Sequence, residues 1–149
     1  MQLKEKIYAA CLQVVNEKIQ ALQSTLQELG EGAISDGKSS AGDKHETARA
    51  MMQLEQEKIS RQLDELLVQK TVLQKIDATL KSWQITKGSL IKTNKGYLFL
   101  SVPLGKISVD GTDVIILSPQ SPLGLKLMGL QAKSSTEINA VTYLVEEVL

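Results

Sequence analysis

Apolar residues between Leu3 and Leu29 fall at Tyr8, Leu12, Val15, Ile19, Leu22, Leu26 and Leu29, in alternating steps of four and three. That spacing keeps one stripe of a helix apolar, the signature of a coiled-coil strand. A second helical register runs from about Thr47 to Trp83. Met52, Ile59, Leu66, Leu73 and Leu80 recur every seven residues, Ile76 and Trp83 follow a parallel track, and Leu63 lies near it. Gln56, Gln69 and Lys70 leave gaps in the stripe, and no proline interrupts either segment. At 1.5 Å per residue the second helix would run to roughly 55 Å, too long for a compact bundle of this chain length. Two such helices joined by a Gly/Ser-rich turn are expected to form an antiparallel hairpin, a projecting rod.

The pattern changes after Trp83. From Ile85 onward β-branched residues alternate with turn signals. "SLIKTNKGYLFLSVPLG" reads as strand, turn at Asn94 to Gly96, strand, and "KISVDGTDVIILSP" reads as a second pair around Asp110 and Gly111. "SPLGLKLMG" reads as a short helix, with Ser121 as its cap, Pro122 in the first turn and Gly129 at its end. "TEINAVTYLVEEVL" reads as a final strand region. The expected core is aliphatic: Leu90, Leu98, Leu100, Val114, Ile116, Leu127, Val141 and Leu144. The predicted fold class is α+β, with a coiled-coil hairpin over residues 1–83 and a small α+β domain over 84–149.

Composition narrows the function classes. Lys plus Arg and Asp plus Glu number 17 each, so electrostatic function must come from local patches. Aromatics make up only 3% of residues, which argues against a base-stacking surface for single strands. Cys11 is the sole cysteine and has no internal partner, as expected of a reducing compartment. The opening "MQLKEKIYAACLQVV" has no small-residue cleavage site, and its helical period runs on to Leu29. No apolar run approaches the length of a membrane span. A soluble, cytoplasmic protein that contacts no membrane is the expectation.

Gly32 to Ser39, "GAISDGKS", matches the nucleotide-binding pattern G-x-x-x-x-G-K-[ST]. A phosphate cradle of that kind needs a buried strand entering the loop and a helix leaving it. Here "NEKIQALQSTLQELGE" precedes it, polar and helical in spacing. The expectation is therefore no nucleotide at this stretch, with Gly30, Gly32, Gly37 and Gly42 making a turn between helices.

The turn carries the candidate chemistry. Asp43 and Glu46 stand three apart at the start of the second helix and so share a face, with His45 between them. Two readings stay open. Ser40-x-x-Asp43 and Asp43-x-x-Glu46 both fit capping boxes, and acids favour helix N-termini. Alternatively, the pair lends ligands to a magnesium ion whose remaining ligands come from a partner. An EF-hand is excluded, because Asp36 opens no run with the required acid spacing. His45 reads as a solvated residue, since no second His or Cys is nearby.

Taken in order, these motifs resemble the Gre family of bacterial transcript-cleavage factors. The family's finger tip opens its second helix with a Gly-Asp-x-x-Glu-Asn-Ala-like motif, matched here by Gly42, Asp43, Glu46, Thr47 and Ala48. Its globular domain begins near a Gly-Ser pair, as in Gly88 and Ser89, and contains a Ser-Pro-Leu/Ile-Gly/Ala helix, as in Ser121 to Gly129. It closes with a Tyr-x-[Ile/Val]-x-x-[Ile/Val] strand, as in Tyr143, Val145 and Val148. The turn from Gly30 to Gly42 is longer than the family's. Lys133 to Ser135, "KSS", replaces the Gly-Asp that usually follows the short helix.

The resemblance implies an FKBP-like second domain that docks on bacterial RNA polymerase, and a finger that enters the polymerase's secondary channel. It implies that Asp43 and Glu46 help hold a magnesium ion shared with the polymerase, which then cleaves the 3′ end of backtracked RNA. The chain would have no catalytic centre of its own. Ser121, Pro122 and Leu123 are the implied docking residues. Arg49, Lys58 and Arg61 are the candidates by position for the family's basic patch. A channel-blocking inhibitor and a coiled-coil adaptor unrelated to transcription remain as alternatives.

Overall fold

The computed structural model describes the backbone of residues 2–36 and 43–149, and their side chains apart from 31–36 and 43–45. Two long helices come first, α1 (Leu3–Asp36) and α2 (Asp43–Gln74). Then follow β1 (Leu90–Thr93), β2 (Gly96–Leu100), β3 (Gly105–Val109), β4 (Thr112–Leu117), α3 (Pro122–Leu127), β5 (Ser135–Ile138) and β6 (Val141–Val148). The fold is a helical hairpin plus an α+β domain, as the change of periodicity predicts. No helix among the described residues is long and apolar enough to cross a membrane.

The chain divides into two compact units. One is Val14–Lys70; the other joins Met1–Gln13 to Thr71–Leu149. We call them the hairpin unit and the sheet unit.

In the hairpin unit Val15, Ile19 and Ile59 are buried, while Leu22, Leu26, Met52, Leu63 and Leu66 are half-buried. The less exposed positions of α2 include 52, 56, 59, 63, 66 and 70, so the heptad runs through polar Gln56 and Lys70 without a break. On α1 the most buried residues are Ile7, Cys11, Val15 and Ile19, four apart, whereas Tyr8 and Leu12 are half-buried beside them. Steps of four advance slightly more than one turn, so the buried line winds around the helix.

Three sequence expectations are corrected here. Helix α1 continues through Gly30 and Gly32 to Asp36, so the expected turn starts later than Gly30; residues 37–42 lie outside the described residues. Helix α2 stops at Gln74, and Leu80 and Trp83 are each 67% exposed, so neither extends the seam. The cause is local. Lys75 N–H and Ile76 N–H bond to Val72 O and Leu73 O, tightening the helix end into i→i−3 bonds. The Asp77 carboxylate then accepts from both the Thr79 N–H (2.9 Å) and the Thr79 hydroxyl (2.5 Å), a turn that competes with further helix. Those two bonds also hold the Asp77 carboxyl below its usual pKa.

The third correction concerns Val141 and Leu144, expected in the core but 37% and 41% exposed. Strand β6 pairs with β1 through Ile91↔Val148, Lys92↔Glu147 and then Thr93↔Val145, skipping Glu146. That bulge resets the alternation: Val145 and Val148 face the core three positions apart, and Leu144 falls on the other face. The Tyr-x-Val-x-x-Val spacing of the last strand is thus the spacing a bulge requires. Val141 stands at the hairpin end, paired with Ile138 on the edge strand.

The sheet order is β3-β4-β2-β1-β6-β5, with β2 and β4 parallel and all other neighbours antiparallel. Two-residue turns close three hairpins. Asp110-Gly111 and Asn139-Ala140 take positive φ at both positions (51° and 78°; 51° and 62°), the turn that suits strand twist. One sheet face carries Ile91, Leu98, Leu100, Leu117, Val145 and Val148 under Leu127 of α3 and Ile85. By alternation Leu90, Phe99, Val114 and Ile116 face the opposite side, yet they too are fully buried. The helix ends within the same unit tie to this region. Lys6 pairs with Asp110 in the β3–β4 turn (2.8 Å), and Leu3 and Leu80 line a recess with Leu90 and Leu149. Tyr8 OH donates to Leu73 O (2.7 Å), joining the two helix ends.

Candidate functional site

The first candidate is the start of α2. Asp43 opens the helix, and Glu46 follows three positions later, so the backbone sets both positions on one helix face. The side chains of Asp43 and His45 lie outside the described residues; that of Glu46 is exposed. Among the described residues no three His, Cys, Asp or Glu side chains come together as a metal site. Two carboxylates one turn apart supply part of a magnesium shell, which ordinarily includes several waters and ligands from elsewhere. Chemically, such a pair can complete a hard-cation site assembled on another molecule, or satisfy the free N–H groups of its own helix end.

Arg49, Lys58 and Arg61 are all exposed on α2, interleaved with exposed Glu55, Glu57 and Glu65. They form no single-sign stripe. Sequence reasoning passed over Met51 and Leu54, 66% and 65% exposed and one turn apart close to Glu46. The signal was available, since both lie off the Met52–Ile59 seam.

The second candidate is α3. Ser121 caps it: its Oγ accepts from the Gly124 N–H (3.0 Å), and its hydroxyl donates to Ser118 O (2.7 Å). Pro122 sits in the first turn, where its missing N–H costs nothing. A methyl group on Gly124 would run into Ser118 O, so close backbone approach requires glycine here. Leu123 is half-buried and packs against the core beneath the helix. Of the three residues singled out from sequence, Ser121 and Leu123 are thus occupied within the domain, and Pro122 is exposed. The helix instead offers Leu125 (64% exposed) and Met128 (41% exposed), which with Pro122 recur at three-residue spacing on the solvent side. Composition concealed this face, because a six-residue helix rich in Leu reads as core on both sides.

The chain after α3 keeps a glycine-like conformation without glycine. Lys133 has φ 75°, in the left-handed region, and its N–H donates to Val145 O (2.7 Å).

No model of a known protein family matches the chain, and no curated protein matches it. A solved structure titled "Structure of the transcription factor Gfh1" is similar over 95% of this chain and 90% of that one, at 17% identity and a TM-score of 0.35, a level that does not establish a shared fold.

Proposed function

We propose that the chain is a transcription elongation factor that binds bacterial RNA polymerase through its secondary channel and stimulates cleavage of backtracked RNA. One combination carries this reading: a long helical hairpin whose second helix opens with Asp43 and Glu46 on one face, in the same chain as an α+β domain with a Ser-capped, apolar-faced short helix. The ordered motif resemblance supports it.

In this reading Asp43 and Glu46 lend negative charge to a magnesium ion held chiefly by the polymerase. That ion would stabilise the charge that develops as water attacks the RNA 3′ segment. The polymerase performs the hydrolysis, and the chain is not itself an enzyme. Pro122, Leu125 and Met128 form the docking face, with Ser121 and Leu123 fixing its shape. The Walker-like stretch has no role, since helix α1 and not a strand leads into it. Calorimetry should show no ATP affinity that Lys38→Ala abolishes.

The test uses a stalled elongation complex and Asp43→Asn/Glu46→Gln. Asn and Gln keep the shape and the capping hydrogen bonds, so helix content should not change. Stimulated cleavage should fall roughly 10²-fold, the scale of a lost electrostatic stabiliser, with polymerase binding retained. Added magnesium should recover part of the loss by mass action. Full cleavage by the double variant would leave the two carboxylates as caps. Inhibition by the wild-type chain would make it a channel-blocking regulator, and no effect at all would leave a coiled-coil adaptor.

A further inference from the structure

Lys4 on α1, Lys75 just beyond α2, and Lys81 and Lys87 ahead of β1 line one recess of about 450 Å³ in the sheet unit. Among the described residues its single carboxylate is Asp77, so four lysines stand against one negative charge in a chain that is neutral as a whole. Asp77 is also engaged locally, accepting from the Thr79 N–H and the Thr79 hydroxyl. Lys75, Lys81 and Lys87 are exposed, and none has a carboxylate within ion-pair distance among the described residues. Lys4 differs: it is 9% exposed, and its Nζ donates to a neutral carbonyl, Leu80 O, at 2.6 Å. Burial lowers the pKa of this ammonium, and the Asp77 charge offsets only part of that. Ser82 and Thr86 add hydroxyls to the lining.

We propose that this recess binds a compact polyphosphate anion, the di- or triphosphate group of a small molecule. Several lysines around one concavity match a ligand with several charges close together; a single carboxylate would neutralise only one of them. No aromatic residue lines the recess, so a base would find nothing to stack on, and recognition falls on the phosphates. A nucleic-acid backbone would call for basic residues along a stripe, whereas these four line one recess. The proposal is independent of the polymerase reading, which uses none of these residues.

The chain supplies its own probe. Trp83 is the sole tryptophan, is exposed, and follows Ser82 of the lining. Titration of the full chain with inorganic tripolyphosphate at low salt should change Trp83 emission saturably, with calorimetry giving one site and a Kd below about 100 μM. Lys81→Gln/Lys87→Gln should weaken binding at least about tenfold, because both charges are exposed and removable without loss of fold. Lys58→Gln/Arg61→Gln, on α2, should leave it unchanged. Absence of saturation, or equal affinity in the two variants, would overturn the site. Two further arms fix the ligand class. Single-stranded RNA that displaces tripolyphosphate from the recess would overturn the proposal in favour of nucleic acid. ATP binding more than about tenfold tighter than tripolyphosphate would overturn recognition by phosphate alone.

Discussion

The hairpin unit and the sheet unit solve burial differently. Among the described apolar residues, the hairpin unit buries only Val15, Ile19 and Ile59, the last two not completely, whereas the sheet unit buries Phe99, Leu98, Leu100, Ile116, Leu127 and Val145 at 1% exposure or less. Two helices side by side can shield only the seam between them, and every other face stays in water. A sheet covered on both faces shields two alternating sets of side chains at once. The region proposed to meet a partner's metal is therefore the one held by fewer buried contacts, and it should open locally at lower free energy. Phe99→Ala should cost about 3–5 kcal/mol, the range for a buried aromatic, and should lower protection across the sheet. Ile59→Ala should cost about 2 kcal/mol and should loosen α2 amides while sheet amides keep their exchange rates. Equal slowing or equal loss throughout both units in the Ile59 variant would break the comparison.

Cys11 sharpens it within the sheet unit. The thiol is fully buried, and burial pushes its pKa from 9.0 to about 12. Below pH 9.0 native and unfolded chains both hold the proton, so there is no effect. Above it the unfolded chain releases the proton first, and stability falls with rising pH until the native thiol also ionises. The loss should reach about 2 kcal/mol near pH 10.5. Lys4, with a lowered pKa, pulls the opposite way at alkaline pH. The measurement is therefore the difference between wild type and Cys11→Ala, in which the Lys4 contribution is common. Thiol reagents should also leave native Cys11 unlabelled at neutral pH and label it on unfolding.

Leu123 and Leu125 divide the two jobs of α3. Leu123→Asp places a charge against the core and should destabilise by roughly 2–3 kcal/mol. Leu125→Asp changes an exposed position and should stay within about 0.5 kcal/mol of wild type. If α3 docks the chain, polymerase affinity should nevertheless fall at least about tenfold in the Leu125 variant. A folded Leu125→Asp chain with undiminished affinity would move the docking face elsewhere.

Much of the fold was legible because it rests on local rules. Heptad spacing marked both long helices, β-branched alternation with turn residues marked the first four strands, and Ser121, Pro122 and Gly129 delimited α3. What escaped depends on contacts that spacing does not encode. The end of α2 is set by the Asp77–Thr79 turn against an apolar track that continues in sequence to Trp83. The exposure of Leu144 follows from a bulge opposite β1, a property of the pair and not of either strand. The lysine recess escaped for a similar reason, because Lys4 joins Lys75, Lys81 and Lys87 only after the helix ends are brought together. At the site, sequence placed Asp43 and Glu46 on one helix face but gave no sign that Leu125 and Met128, not Leu123, face solvent.

The smallest expected effect tests how much strain the sheet unit tolerates. Lys133 stands in the left-handed region at φ 75°, where a side chain crowds its own carbonyl and only glycine is free of that cost. Its N–H bond to Val145 O and the Val145 N–H bond to Ser134 O hold the turn in place, so the sheet imposes the conformation on the lysine. Lys133→Gly should remove the clash without breaking either hydrogen bond. The gain is partly offset by the greater freedom of glycine in the unfolded chain. The net should be a stabilisation of up to about 1 kcal/mol, seen as a higher denaturation midpoint with an unchanged slope. Lys133→Ala keeps the clash and should show no such gain, which separates backbone strain from loss of the lysine charge. If Ala stabilises as much as Gly, the cost at this position is electrostatic and the turn is not strained.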